Sequence, residues 1–462
     1  MASLSKKNRA LHWIQRRRVK GKLNDVDPCN ATTEANMIDD LPESLLLLEI
    51  FSRLRNPRDV IVCKSVSKRW NSLLSSSFHY NQSLALILNT QPPCATNEIC
   101  LDGWKGFNLS NYIDPEFAHS LVCVLASYKD VLLCMKYYSS RGKLRTQFYI
   151  VNPVTMRWTS IPETHREFSI FPVGLSRNGS KGEYYVVKLT ATTPSQLKVY
   201  VVDSKRGQRK FYCIEHPPWS ESGWWPTQCL AVNFNKALHW LAHDEPIVAY
   251  NPKYRHACII IHRSQEMHHA SHGHGAVVSE TLTVSMGHLR IIQLVCYPFP
   301  NDHHHLSIWT LVDYEQSLWK KEHDSVYFRD MVSGIPWIQD YMRQHNLETT
   351  KQMSFLMAVF MDKRAPPETR KRIIFPHPLL CHPNNPLLVY LYLPESIVSL
   401  DVATKKLQLI TKDIKRGTCP KVGRYESGYD MVIPMTLHLE PSLLSDHERV
   451  LLPCHKRTHV VR

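Results

Sequence analysis

The sequence predicts an α+β multidomain chain, with a short three-helix block near the N-terminus and a large, mainly-β, propeller-like domain of six or seven blades behind it. Three observations predict this. A Leu-rich helical pattern fills residues 39–54, and two further helix starts follow it. From about Leu84 to Met435, short runs rich in Val, Ile, Tyr, Leu and Trp alternate with turn residues. Within that stretch a turn followed by a large apolar residue recurs roughly every 50–60 residues, near the period of a four-stranded propeller blade.

The 462 residues allow two or more structural units, and 43% hydrophobic content allows a real core. No run approaches the ~18 consecutive apolar residues of a membrane span, so no membrane partner is expected. The start, MASLSKKNRALHWIQRRRVKGK, has no apolar signal region, and the expected location is nucleus and/or cytoplasm. The thirteen cysteines are odd in number and form no Cys-x-x-Cys pair, so in a reducing compartment they read as small buried hydrophobes. The net charge of +15 is concentrated at the ends. Residues 1–23 hold eight Lys/Arg and no acid, and HKRTHVVR at the C-terminus adds three more. That distribution argues against a nucleic-acid-binding face on the folded domain.

Residues 1–36 read as a disordered basic tail whose KKNR and RRRVKGK resemble the halves of a nuclear-import signal. Residues 37–80 form the helical block. Pro42 suits a first helical turn, where its missing N–H is no loss. Asn56 and Pro57 make a second helix start, and Ser67 caps a third helix containing Trp70, Leu73 and Leu74. The first helix carries four successive leucines. Residues step ~100° around the axis, so Leu45, Leu46, Leu47 and Leu48 point in four directions. Leu45, Leu48 and Leu54 are expected to face the other two helices. The remaining leucines, with Leu41 and Ile50, need cover from the following domain or from a second protein.

Residues 81–440 form the β-domain. Its phrases NPVTMRW, DSKRGQRKF, NPKYRHACI, DYEQSLW and DVATKKLQL each join a strand to a short strand bearing a large apolar residue, among them Trp158, Phe211, Ile259 and Trp319. About 350 residues at ~50 per blade gives six or seven blades. The segment 335–372 has partly helical spacing and reads as an insertion or a diverged blade. Residues 441–462 form a C-terminal tail.

Common catalytic and nucleotide-binding motifs are missing: no Walker loop, Gly-x-Gly-x-x-Gly, Gly-x-Ser-x-Gly or His-Glu-x-x-His occurs. His268, His269, His272 and His274 lie close together, as do His303, His304 and His305. Both groups sit among loop residues and read as solvated rather than as a metal centre, so no metal or cofactor is expected. Trp219, Trp224 and Trp225 either pack a loop or line a recognition surface, and they are the candidate substrate-binding residues.

Residues 41–74, LPESLLLLEIFSRLRNPRDVIVCKSVSKRWNSLL, resemble an F-box. The pattern falls on Leu41, Pro42, Leu45, Leu46, Ile50, Leu54, Asp59, Val60, Val66 and Trp70. YIVNPVTMRWTSIP, LHWLAHDEPIVAYNP and SIWTLVDYEQSLWKK resemble the F-box-associated, kelch-related β-propeller region of plant F-box proteins. The resemblance implies a substrate-receptor subunit of an SCF-type cullin-RING ubiquitin ligase. A Skp-family adaptor would dock on Leu41, Pro42, Leu45, Leu46, Ile50, Leu54, Val60, Val66 and Trp70, and a target protein on the propeller. It also implies that the chain does no bond-making chemistry itself. A nuclear nucleic-acid or chromatin module driven by the basic tail is the alternative, and nucleic acid is the less favoured partner. Against the commoner family spacing the fourth leucine reads as an insertion. It turns Leu41 and Pro42 by ~100° relative to the rest of the helix unless the first turn adjusts.

Overall fold

The computed structural model describes residues 41–46, 51, 62–76, 83–89, 96–100, 121–140, 143–153, 157–161, 173–178, 183–193, 195–205, 209–215, 231–242, 246–254, 258–267, 277–296, 305–323, 326–327, 377–393, 396–411, 432–437 and 449–450. The chain divides into two compact units, Met1–Leu54 with Cys63–Phe78, and Arg55–Val62 with His79–Arg462.

In the first unit, α1 (Glu43–Leu45) starts at Pro42, whose φ of −55° and ψ of 142° make it the N-cap. The Pro42 carbonyl accepts from the N–H groups of Leu45 and Leu46 at 3.0 and 3.1 Å. Leu46 keeps α-helical dihedrals, φ −61° and ψ −46°. A helical turn follows at 62–64, and then α2 (Lys68–Ser76). Ser67 caps α2 as expected, its Oγ accepting from the Trp70 N–H at 3.1 Å. The expected cap at Asn56 and Pro57 lies outside the described residues.

The second unit is built of antiparallel sheets. Strands β1 (Ser83–Asn89) and β2 (Thr96–Cys100) pair first. The first blade follows: β3 (Leu121–Tyr128), β4 (Val131–Ser140), β5 (Lys143–Asn152) and β6 (Arg157–Ser160). The second is β7 (Val173–Asn178), β8 (Glu183–Thr193), β9 (Gln196–Asp203) and β10 (Arg209–Glu215). The third has shorter strands, β11 (Val232–Phe234), β12 (Ala237–Trp240), β13 (Ile247–Tyr250) and β14 (Cys258–Ile261). The fourth is β15 (Val277–Ser285), β16 (His288–Cys296), β17 (His305–Asp313) and β18 (Leu318–Lys321), with β19 (Val326–Tyr327) also pairing β17. The fifth is β20 (His377–His382), β21 (Asn385–Leu393), β22 (Ser396–Asp401) and β23 (Lys406–Thr411). Finally β24 (Val432–Leu437) pairs β1, and β25 (Arg449–Val450) pairs β6.

Each blade is a meander in sequence order, and its first strand lies against the first strand of the next: β3 on β7, β7 on β11, β11 on β15, β15 on β20. β24 in turn lies against β3. Blade faces meet through apolar side chains that alternate along each strand. Val186 packs with Leu133 and Ile150 of the first blade, while its neighbour Val187 packs with Leu238 and Trp240 of the third. A face buried on both sides explains why Ala237–Trp240 and Ile247–Tyr250 are buried at every position.

The recurring phrase has a physical basis. The third strand of every blade ends in, or is followed directly by, Asn or Asp: Asn152, Asp203, Asn251, Asp313 and Asp401. In four blades that side-chain oxygen accepts a backbone N–H two residues on, from Lys205, Lys253, Glu315 and Ala403. In the first blade Asn152 is buried and donates to Asp130 at 2.8 Å. Trp158, Phe211, Ile259 and Trp319 all lie on fourth strands. The expected six or seven blades are corrected to five among the described residues. Dividing by ~50 treated all of 84–435 as blade, but 101–120, 335–372 and 412–431 belong to no described strand. The domain's two ends, β1, β2 and β24, make a separate three-stranded sheet.

Candidate docking surfaces

In the helical block the inward and outward leucines exchange relative to expectation. Leu45 is 43% exposed, whereas Leu46 is fully buried. Phe51, Trp70, Leu73 and Leu74 are also buried, and the Phe51 and Trp70 rings meet edge to face at 5.0 Å. Adjacent helical residues point ~100° apart, so Leu45 and Leu46 do not share a face, and Leu46 is the one that turns inward. Arg69 fixes the start of the block by donating from Nη2 to the Leu41 carbonyl at 2.8 Å. Pro42 and Leu45 are exposed, Leu41 is half-buried, and Val66 is exposed. Trp70 Nε1 is buried with no acceptor among the described residues. Ile50, Leu54 and Val60 lie outside the described residues. Of the predicted adaptor-binding residues, Pro42, Leu45 and Val66 are therefore presented to solvent, while Leu46 and Trp70 are buried.

In the propeller unit the first-to-second and third-to-fourth turns of each blade share one end, because the strands alternate in direction. The connections from β10 to β11, β14 to β15, β16 to β17 and β19 to β20 all leave from the opposite end. They contain Trp219, Trp224, Trp225, the two histidine groups and segment 335–372, all outside the described residues except His305, which opens β17. Among the described residues no group of His, Cys, Asp or Glu is arranged to hold a metal ion.

Sequence reasoning missed the polar seams between blades. Between the third and fourth, Arg263 pairs with Glu280 through two 2.9 Å bonds and donates to the Ala242 carbonyl at 2.6 Å. Gln293 donates to Glu280 at 2.9 Å. On the same seam His239 meets the Tyr314 hydroxyl at 2.8 Å. Burial holds His239 down at about 4, against the backbone contacts at Val232 and Ala237, and pushes Tyr314 up to about 12. Between the fourth and fifth blades, alternate hydroxyls of β15 reach β20. Ser279 meets His377 at 2.5 Å, Thr281 donates to the Pro378 carbonyl at 2.7 Å, and Ser285 donates to the His382 carbonyl at 2.6 Å. Burial lowers His377 to about 4. Arg290 and Glu322 pair beside Cys381, whose thiol burial raises to about 12. The visible signal was SETLTVS at 279–285, with polar and apolar residues alternating on a strand buried on both faces.

Residues 38–84 match the family described as F-box-like, and that region is followed by the five-bladed propeller. Comparison with curated proteins found no match. Among solved structures the chain is similar to a post-proline cleaving enzyme from Rickettsia typhi, at 8% identity and TM-score 0.33, over 80% of this chain and 57% of that one. It is similar to prolyl oligopeptidase B from Galerina marginata, at 6% identity and TM-score 0.32, over 70% and 48%. It is also similar to a mutant of AofleA from Arthrobotrys oligospora, at 10% identity and TM-score 0.33, over 78% and 90%. The chain spans about half the length of the two peptidases. The expectation that the chain is not an enzyme is withdrawn, because the solved structures it matches include prolyl oligopeptidase-type enzymes. TM-scores near 0.3 assign none of their chemistry to this chain.

Proposed function

We propose that this chain is a substrate receptor of an SCF-type cullin-RING ubiquitin ligase. In this reading the F-box-like domain docks a Skp-family adaptor and the propeller holds a target protein. The carrying observation is the exposure of Leu45 and Val66 on a block in which Leu46, Phe51, Trp70 and Leu74 are already buried. A small domain that buries such side chains and still presents large apolar ones has surface suited to a partner. F-box domains generally bind Skp-type adaptors. Holding a target beside a ubiquitin-loaded enzyme makes their encounter effectively intramolecular, at up to millimolar effective concentration. Target recognition is assigned to the end of the blades from which the long connections leave, since loops on a rigid scaffold vary without disturbing it.

The test is co-expression of the full chain with a Skp-family adaptor. The wild-type chain should co-purify in equal amount with the adaptor. A Leu45→Asp/Val66→Asp variant should lose the complex while its circular dichroism stays unchanged. Failure of the wild-type chain to form the complex, or its retention in the double variant, overturns the reading.

A further inference from the structure

β10 is the outermost strand of the second blade, and among the described residues no strand lies beyond it. The same edge of the first blade is occupied: β25 adds to β6, with Arg449 opposite Trp158 and Val450 opposite Arg157. An outer edge of this domain therefore accepts a further antiparallel strand. β10 is the longest of the outer strands at seven residues, against four in β6, β14 and β18 and six in β23. A long edge strand is a pairing template unless charge, bulges or shortness blunt it. β18 ends in Lys320 and Lys321, and β23 begins at Lys406. β10 also starts basic, at Arg209 and Lys210, but continues with Phe211, 70% exposed, and with Cys213 and Glu215 exposed on the same alternating face.

The sequence of β10, RKFYCIE, is basic at its start and acidic at its end. Two copies paired antiparallel about a two-fold axis at Tyr212 bring the basic start opposite Glu215 twice. Phe211 falls opposite Cys213 twice, and Lys210 opposite Ile214. No like charges meet. A slip of two residues one way sets Phe211 against Glu215. A slip of two the other way sets Phe211 against Phe211 but puts Arg209 opposite Cys213, so both opposite-charge pairs are lost, and a slip of four that way sets Lys210 against Lys210. The paired opposite charges at the two ends thus favour the register centred on Tyr212. A pairing related by a two-fold axis is also self-limiting, because the same patch serves both partners.

We propose that β10 is a homodimerisation edge, on which the β10 strand of a second copy adds antiparallel, centred on Tyr212. The two four-stranded blades become one continuous sheet. The dimer carries two F-box-like domains, and it stands or falls independently of the adaptor reading. A seven-residue pairing buries less than the ~1,200 Å² of standard interfaces, so the association is concentration-dependent.

Sedimentation of the full chain over a dilution series tests this. The expected mass rises from monomer to dimer with concentration, and Phe211→Glu stays monomeric with an unchanged melting temperature. Phe211→Cys should form an oxidised dimer whose linking peptide, mapped by mass spectrometry, joins position 211 of one copy to Cys213 of the other. Adding Cys213→Ser should remove that link. A wild-type chain that is monomeric at every concentration, a Phe211→Glu variant that still dimerises, or a cross-link confined to other cysteines overturns the proposal.

Discussion

Arg263 and Glu280 meet as a two-pronged ion pair across the seam of the third and fourth blades, with both side chains 1% exposed. Such a pair spends most of its attraction on its own desolvation, whereas removing one member strands a buried charge. Glu280→Ala is expected to destabilise the domain by about 3–5 kcal/mol, since it also removes an acceptor from Gln293. Arg263→Met/Glu280→Leu should recover most of that loss. Urea midpoints decide the matter. If the single variant melts like the wild type, the ion pair is not holding this seam.

Acid should loosen two seams through His239 and His377. Burial keeps both imidazoles at about 4, below their ordinary 6.5. Between those values the unfolded chain binds protons that the folded chain refuses, so the stability present above ~6.5 is lost as pH falls toward ~4. The maximum is ~3 kcal/mol for each group. For Glu322, burial raises the carboxyl, but the Arg290 hydrogen bond and neighbouring positive charge outweigh it and hold it low, which extends the loss into more acidic solution. Melting temperature against pH should fall over this window. The slope should be shallower in His377→Gln, and an unchanged slope there removes His377 from the account.

Leu45 and Leu46 are adjacent and opposite in consequence. Leu46→Ala empties a fully buried site and should cost about 2–5 kcal/mol in the helical block. Leu45→Ala removes a side chain already 43% exposed and should change stability by less than about 0.5 kcal/mol. Hydrogen exchange of the α2 amides separates the two effects, with fast exchange expected only for Leu46→Ala.

Gly174 sits on β7 where blades two and three approach. A Cβ there would fall 2.8 Å from Ala231 Cβ and 2.9 Å from Leu238 Cδ1. Gly174→Ala is therefore expected to destabilise by about 1–3 kcal/mol through overpacking. A thermal melt equal to wild type would show that the seam yields at no cost.

The strands were legible because their pattern is local. QLKVYVVD alternates in and out along β9, and each Asn or Asp at a third-strand end announces its turn through its own side chain. What joins distant positions was not. Ser279 and His377 lie far apart in sequence, and neither carries a sign of the other. Which of the adjacent Leu45 and Leu46 turns inward depends on helical phase, which a run of identical residues does not reveal. Blade number failed for a related reason: length says how much chain is available, not how much of it enters sheets.

The domain's closure gives the last prediction. β24 comes from the C-terminal end and pairs with β1 from the N-terminal end, Ser83 opposite Leu437 through Leu88 opposite Val432. β24 also lies against β3 of the first blade, so one segment ties the sheet of the two termini to the ring. Pro434 is tolerated in β24 because the strand stands at the edge of its sheet, with no strand on its other side among the described residues. Ending the chain at residue 431 removes both β24 and β25, exposing the edges of β1 and β6. Such a chain should be cut by protease on the order of tenfold or more faster, tracking its greater open population. A synthetic peptide spanning 430–440 should slow that cleavage by re-forming the β1 pairing, and the same peptide carrying Ile433→Asp should not. Protection equal to that of the intact chain without any peptide would place closure elsewhere in the domain.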